Sequence, residues 1–429
     1  MAALVSKRFH ALSGGPSPLS VGIGALQQPA PMGAALRRLR AFQPWLIKHS
    51  ARLGELELEC HITREADEVR ATEAASLLDS CLLAAITGSS CGLRRLCLGT
   101  SFGPRPSEEL YDIGGWASLD GLQHVTIMVP GRLRLFCSLE GATQLRCLEL
   151  EARSFEAGPA AVLPASLTKL VCRVHWMEPG ESVGHLSTLR SVTLAGMGAA
   201  PGGMPPLGGL SNLAGLQHLA LIECDVSGWL PGAAHHISGL QALELIDPFD
   251  EDELATLSPV LRLLPQLRGL WLEWDGACLP PTAADLSRLR WLYCNSWGAG
   301  GPTYPAGACQ KSLRRLVLHP EAAKANVPFL AGLERLEVLG LVQPMDKMFG
   351  QPPVHWHAFF AWAARHPPLR RLEFPPESVW SFKAGVLSPD IMNAVIQLLR
   401  ARPALAVECL ATEDGHGDFF REQLLAEWA

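Results

Sequence analysis

Clustered cysteine pairs, long apolar runs and nucleotide-type glycine loops are all missing from this 429-residue chain. The twelve cysteines stand singly with no CxxC pair, which argues against a zinc ribbon or a disulfide framework. They read as reduced thiols, with Cys172 and Cys294 at core positions and Cys97 and Cys147 within strands. No stretch approaches the roughly 18 apolar residues of a membrane span. Lys7, Arg8 and His10 interrupt any signal-peptide core. No acidic residue precedes Glu55, a feature shared with organelle transit peptides, so the expected location is cytoplasmic or nuclear with organelle import as the other option. Charge is scarce at 18% and the net charge is -6, which speaks against nucleic acid as the main partner.

Chemical signatures are equally thin. Gly22-Ile23-Gly24 lacks a third glycine, there is no GxxxxGK[ST] loop, and no nucleophile elbow occurs. His235-His236 and His355-Trp356-His357 miss the i, i+4 spacing of a helical metal pair, and Glu251, Asp252 and Glu253 suit the solvated first turn of a helix. The expectation is no enzyme, no cofactor and no metal.

What the chain has in abundance is one phrase, leucine at relative positions one, four and six. Leu267-Leu270-Leu272 is typical, and the series runs from Leu53-Leu56-Leu58 to Leu369-Leu372-Phe374. Between Leu216 and Leu336 successive phrases start 22 to 27 residues apart, inside the period of about 20–29 residues for leucine-rich repeats. The fold class expected is therefore α/β, a leucine-rich-repeat solenoid (horseshoe) of about 12–13 irregular repeats with helical N- and C-terminal caps. Leu36, Leu39, Phe42, Leu46 and Ile47 give the spacing of the first cap, with Pro44 expected to kink or restart it. Residues 389–402 and 418–428 give that of the second.

In such a repeat the leucines point inward, while positions three, five, seven and eight face the concave side. The strand at 269–274 and its successor thereby bring Trp271, Trp274, Trp291 and Tyr293 together, flanked by Glu244, Asp247 and Glu273. These seven are the partner-binding candidates, because tryptophan and tyrosine dominate interface hot spots. The competing reading is that the rings are covered within the same molecule. A second regularity is arginine at position two: Arg94, Arg146, Arg190, Arg268, Arg290, Arg314 and Arg370, an expected ridge along one edge. Position nine, commonly Asn or Cys in these repeats, obeys that rule only at Cys224, so irregular turns are expected.

The first residues carry a resemblance. Leu4-Val5-Ser6-Lys7-Arg8-Phe9, then Leu12, then Ser17-Pro18-Leu19 resembles the last third of an F-box. The likeness implies an F-box/leucine-rich-repeat protein of plant or green-algal style, a substrate receptor of an SCF-type (cullin) ubiquitin ligase. Leu4, Val5, Phe9 and Leu12 would then contact a Skp-type adaptor, with the rest of the F-box expected upstream of Met1. The alternative is a free-standing repeat scaffold or regulator. The expected domains are 1–20 (F-box-like), 21–50 (linker or capping helix), 51–380 (solenoid) and 381–429 (helical cap), with a protein ligand on the concave face.

Overall fold

A computed structural model describes residues 19–30, 32–49, 51, 53–62, 77, 80–81, 93–101, 110–112, 121–129, 132–135, 138–157, 162–177, 186–196, 213–224, 226, 230–247, 253–274, 279–296, 304–318, 327–341, 356–374, 380–381, 386–387 and 389–409. The chain forms two compact units, Met1–Leu216 and Gln217–Ala429. Both are runs of leucine-rich-repeat coils, as the register of their parallel strands shows.

In the first unit β1 (Leu19–Ala30) precedes α1 (Met32–His49) and pairs in parallel with β2 (Leu53–Ile62). The sheet continues through β3 (Arg95–Ser101), β5 (His124–Met128), β7 (Cys147–Ala157), β8 (Lys169–Met177) and β9 (Ser191–Ala195). Apolar residues pair along the run: Leu56 with Leu96, Leu96 with Val125, Leu148 with Leu170 and Leu170 with Val192. Inward residues such as Leu96, Val125, Leu148 and Val192 are almost fully buried. Burying each such side chain stabilises by about 1.5–3 kcal/mol, which is why the leucine spacing dictates the coil.

Two short strands, β4 (Leu110–Asp112) and β6 (Arg132–Leu135), form a second rank against the far end of β7. They carry no leucine phrase, so the repeat pattern does not reveal them. Strand β1 is a further departure. It crosses the expected boundary between residues 20 and 21 and puts Val21 and Ile23 beside Leu56 and Leu58, as a degenerate repeat would. The N-terminal cap is thus a strand followed by a helix. Helix α1 runs through Pro44 as one element and buries Leu36, Leu39, Phe42 and Leu46. Ile47, expected on that apolar face, is instead 59% exposed.

The second unit stacks β10 (His218–Ile222), β11 (Ala242–Ile246), β12 (Gly269–Trp274), β13 (Trp291–Ser296), β14 (Arg315–Leu318), β15 (Val338–Leu341) and β16 (Arg371–Phe374), all parallel. Short helices return the chain between strands: α2 (Leu230–Ala234), α3 (Glu253–Arg262), α4 (Ala308–Ser312), α5 (Val327–Ala331) and α6 (Trp356–Arg365). After the two-residue strands β17 (Trp380–Ser381) and β18 (Val386–Leu387), helix α7 (Pro389–Ala401) packs on α6. Arg402 then donates to the carbonyls of Ala363, His366, Pro367 and Leu369, fastening the end of α7 to the turn after α6.

The C-terminal cap contains the expected helix, α7, and a strand besides. Strand β19 (Ala406–Cys409) adds to β16 with Val407 beside Leu372. Its position one is Ala404, so no leucine phrase announces it. The helical spacing at 418–428 lies outside the described residues, as do residues 4–18 of the segment resembling an F-box. Among the described residues, no helix is long and apolar enough to cross a membrane.

Cys172 and Cys294 stand in for the third leucine and are buried as expected. Cys81, Cys97, Cys147, Cys172, Cys224, Cys294 and Cys309 are free thiols, and burial pushes Cys172 up to about 12, so it is an inert core thiol. Cys224, the residue that keeps the position-nine rule, is buried and donates to the Ile222 carbonyl at 3.2 Å.

Candidate concave-face recognition site

Strand pairing sets side chains three and five residues into each repeat in two parallel rows on the face opposite the leucines. In the second unit the row at position three reads His218, Ala242, Gly269, Trp291, Arg315, Val338, Arg371. The row at position five reads Ala220, Glu244, Trp271, Tyr293, Val317, Gly340, Glu373. Neighbours in a row sit one strand apart, about 4.8 Å, close enough to stack.

Trp271 and Tyr293 do stack, with ring centroids 3.7 Å apart and planes 14° from parallel. Val317 extends the row, and Ile246 and Trp291 pack on it from the side. Glu273 lies partly exposed above the pair and accepts from Trp271 Nε1 at 3.0 Å and from the Tyr293 hydroxyl at 3.4 Å. One carboxylate thus satisfies both polar handles of the stack.

These contacts separate the four aromatic candidates. Trp271 is 2% exposed and Tyr293 4%, so the two rings are the floor of the face. Trp291, one row over, is only partly buried and stays accessible. Trp274 occupies its strand position beside Ser296, and its side chain lies outside the described residues.

The flanking acids divide in the same way. Glu244 is buried and meets His218 Nε2 at 2.7 Å, so it belongs to the floor. Asp247 is exposed, and its backbone is left-handed at φ 46. Burial first, then the nearby Glu223 carboxylate, raises the Asp247 pKa above its ordinary value. Glu223, at the same position of the preceding repeat, has φ 51. Both residues send their backbone N–H to the next strand, Glu223 to Ile246 and Asp247 to Glu273. In these two repeats the chain leaves the sheet at position eight through a conformation that L-residues resist.

Further along, Arg315 lies 5.4 Å from the centre of the Trp291 ring and donates to Glu373 at 2.7 Å. Glu373 is 1% exposed and two strands away, and the intervening strand carries Gly340 in the position-five row. A Cβ there would come within 2.9 Å of Val317 and 3.5 Å of the Glu373 oxygen that Arg315 holds. The missing side chain makes room for the ion pair.

In the first unit the same two rows hold charge. They read Glu55, Arg95, His124, Cys147, Lys169, Ser191 and Glu57, Cys97, Thr126, Glu149, Val171, Thr193. Cys97 and Cys147 therefore face away from the leucine core. Lys169 contacts Glu149 at 2.6 Å, and Arg173 contacts Glu151 at 3.6 Å. Ligand atoms of His124, Cys147 and Glu149 lie within 4.8 Å of one another, a grouping that single-repeat reading did not find because it depends on cross-strand register. These three are the described residues best placed to hold a metal ion. Burial, opposed by Lys169, pushes the Cys147 thiol up to about 12, and Lys169 already occupies Glu149, so an ion would have to displace a proton and an ammonium.

Burial acts to raise the Glu149 pKa, but the Lys169 hydrogen bond and charge, with His124, outweigh it and hold the carboxyl below its usual value. His124 is lowered by burial, with Arg95 and Lys169 adding to it against the pull of Glu149. The position-two arginines form the expected edge. Arg290 and Arg314 are exposed, and the backbone N–H groups of Arg290 and Trp291 both donate to the Arg268 carbonyl.

No family model matches the sequence, and no curated protein matches it. Among solved structures, the chain is similar to an internalin from Listeria monocytogenes, at 15% identity and a TM-score of 0.36, over 75% of this chain and 93% of that one.

Proposed function

We propose that the protein is a non-catalytic recognition module that binds a protein ligand on the position-three and position-five face of its repeats. The observation that carries this is the aromatic face of the second unit. A rigid floor of Trp271, Tyr293 and Val317 is fixed by Glu273, and beside it lie the partly accessible Trp291 and Ile246 and the exposed Asp247. An accessible aromatic on a floor that pays no ordering entropy is the arrangement of an interface hot spot.

Within that reading, the protein serves as a substrate receptor for an SCF-type ubiquitin ligase. The support is the resemblance of Leu4, Val5, Phe9 and Leu12 to the end of an F-box, joined to a repeat array. Co-purification with a Skp-type adaptor tests it, with the coding sequence upstream of Met1 included in the parent chain: that chain should retain the adaptor, and L4A/F9A should lose it. An adaptor that never binds the parent chain, assayed where a known F-box protein does bind, would leave the free-standing scaffold as the function.

A further inference from the structure

The arginine edge differs between the two units. In the first, Arg146 donates to the Ser166 carbonyl at 3.3 Å and Arg190 to the Gly215 carbonyl at 2.7 Å, so these guanidiniums tie one coil to the next. Gly215 even leaves the space for Arg190, because a Cβ there would overlap it. In the second, Arg268, Arg290 and Arg314 follow one another at position two of adjacent strands. A parallel row just before position one contributes Arg288 and Arg335. These five arginines, with Ser287 and Ser312, line one concavity of about 260 Å³. Arg288 reaches the Gln266 amide oxygen, and Arg314 stands 3.7 Å from Glu337, with both groups largely exposed. Among the described residues, Arg268, Arg290 and Arg335 have no side-chain partner.

Five like charges around one hollow, in a chain whose net charge is -6, repel each other and gain by taking up an anion. Guanidinium groups favour oxyanions that accept two parallel N–H bonds, carboxylate and phosphate alike, and phosphate brings more charge per group. A single phosphate ester carries about -1.5 to -2 charges at neutral pH, too few to balance this cluster. We infer that the concavity lined by Arg268, Arg288, Arg290, Arg314 and Arg335 is a binding site for a short polyphosphate chain, two or three linked phosphates. It lies along the edge row, distinct from the aromatic rows, so it stands whatever partner the face binds.

Calorimetric titration of the full chain with inorganic tripolyphosphate, at constant ionic strength, tests this. One saturable site is expected, with orthophosphate at least about tenfold weaker because it engages fewer arginines. R290A/R314A should weaken tripolyphosphate at least about tenfold, while K48A/R400A, which removes equal charge from exposed helical positions, should leave it unchanged. R290K/R314K, which keeps the charge and loses the planar fork, should also bind more weakly, and it covers the case in which the alanine pair unfolds. No binding by the parent chain, or equal weakening in the K48A/R400A control, overturns the site. A nucleoside triphosphate arm identifies the source: affinity equal to the inorganic chain assigns recognition to the phosphates alone, and tighter binding assigns a nucleotide.

Discussion

At the scale of single residues, the same leucine-phrase spacing yields side chains with opposite jobs. Trp271, at position five between two leucines, and Trp291, at position three after Arg290, both read as face residues in the sequence, yet one is sealed in a stack and the other is only partly buried. Trp271→Ala is therefore expected to destabilise the fold by about 3–5 kcal/mol in denaturant unfolding, as for other buried tryptophans. Trp291→Ala should cost far less stability. Equal losses would show that the stack is not the fixed floor described.

The histidines set a pH response. His124 and His366 both have pKa values below the ordinary 6.5, His124 through burial, Arg95 and Lys169, and His366 through burial and Arg402. A depressed histidine takes up its proton first in the unfolded chain. Its contribution is complete above pH 6.5 and is lost as the pH falls from there through the folded value. Glu149, held below the ordinary 4.5, adds a second loss that begins only near that pH. Melting temperature should decline between pH 6.5 and 4.5, and H124Q/H366Q should flatten that segment while leaving the steeper fall below it. A flat profile in the parent chain would remove these two histidines from the account.

At the scale of elements, the leucine phrases marked strands from β2 to β16 because buried leucine spacing and strand identity are one physical fact. Strands β1, β4, β6 and β19 escaped because none carries the full phrase; β1 and β19 set Val21, Ile23 and Val407 in register with the leucines of their neighbours. Which charges meet across the sheet was also hidden, since His124 with Cys147, or Arg315 with Glu373, depends on register and on gaps such as Gly340. Gly340→Val should thus do more than stiffen a strand. Its branches would press on Val317 and on Glu373, at a cost of about 1–3 kcal/mol for overpacking. A Cβ alone already meets Val317 at 2.9 Å, so Gly340→Ala should lower stability and Gly340→Val should lower it further; a Gly340→Ala protein as stable as the parent in denaturant unfolding would show that the gap is not needed.

At the scale of the whole molecule, the repeats divide labour between a leucine interior, a charged face in the first unit, an aromatic face in the second and an arginine edge. Recognition through that aromatic face is the central claim. A photo-crosslinking amino acid placed at the exposed Asp247 position, beside Ile246 and the stacked rings, probes it in the intact protein. The same group at Arg262 on α3 or Ala331 on α5, both exposed on the return helices, serves as the comparison. The prediction is one discrete crosslinked partner from position 247, lost on Trp291→Ala, and none from positions 262 and 331. Capture from the helices with none from position 247 would contradict the account.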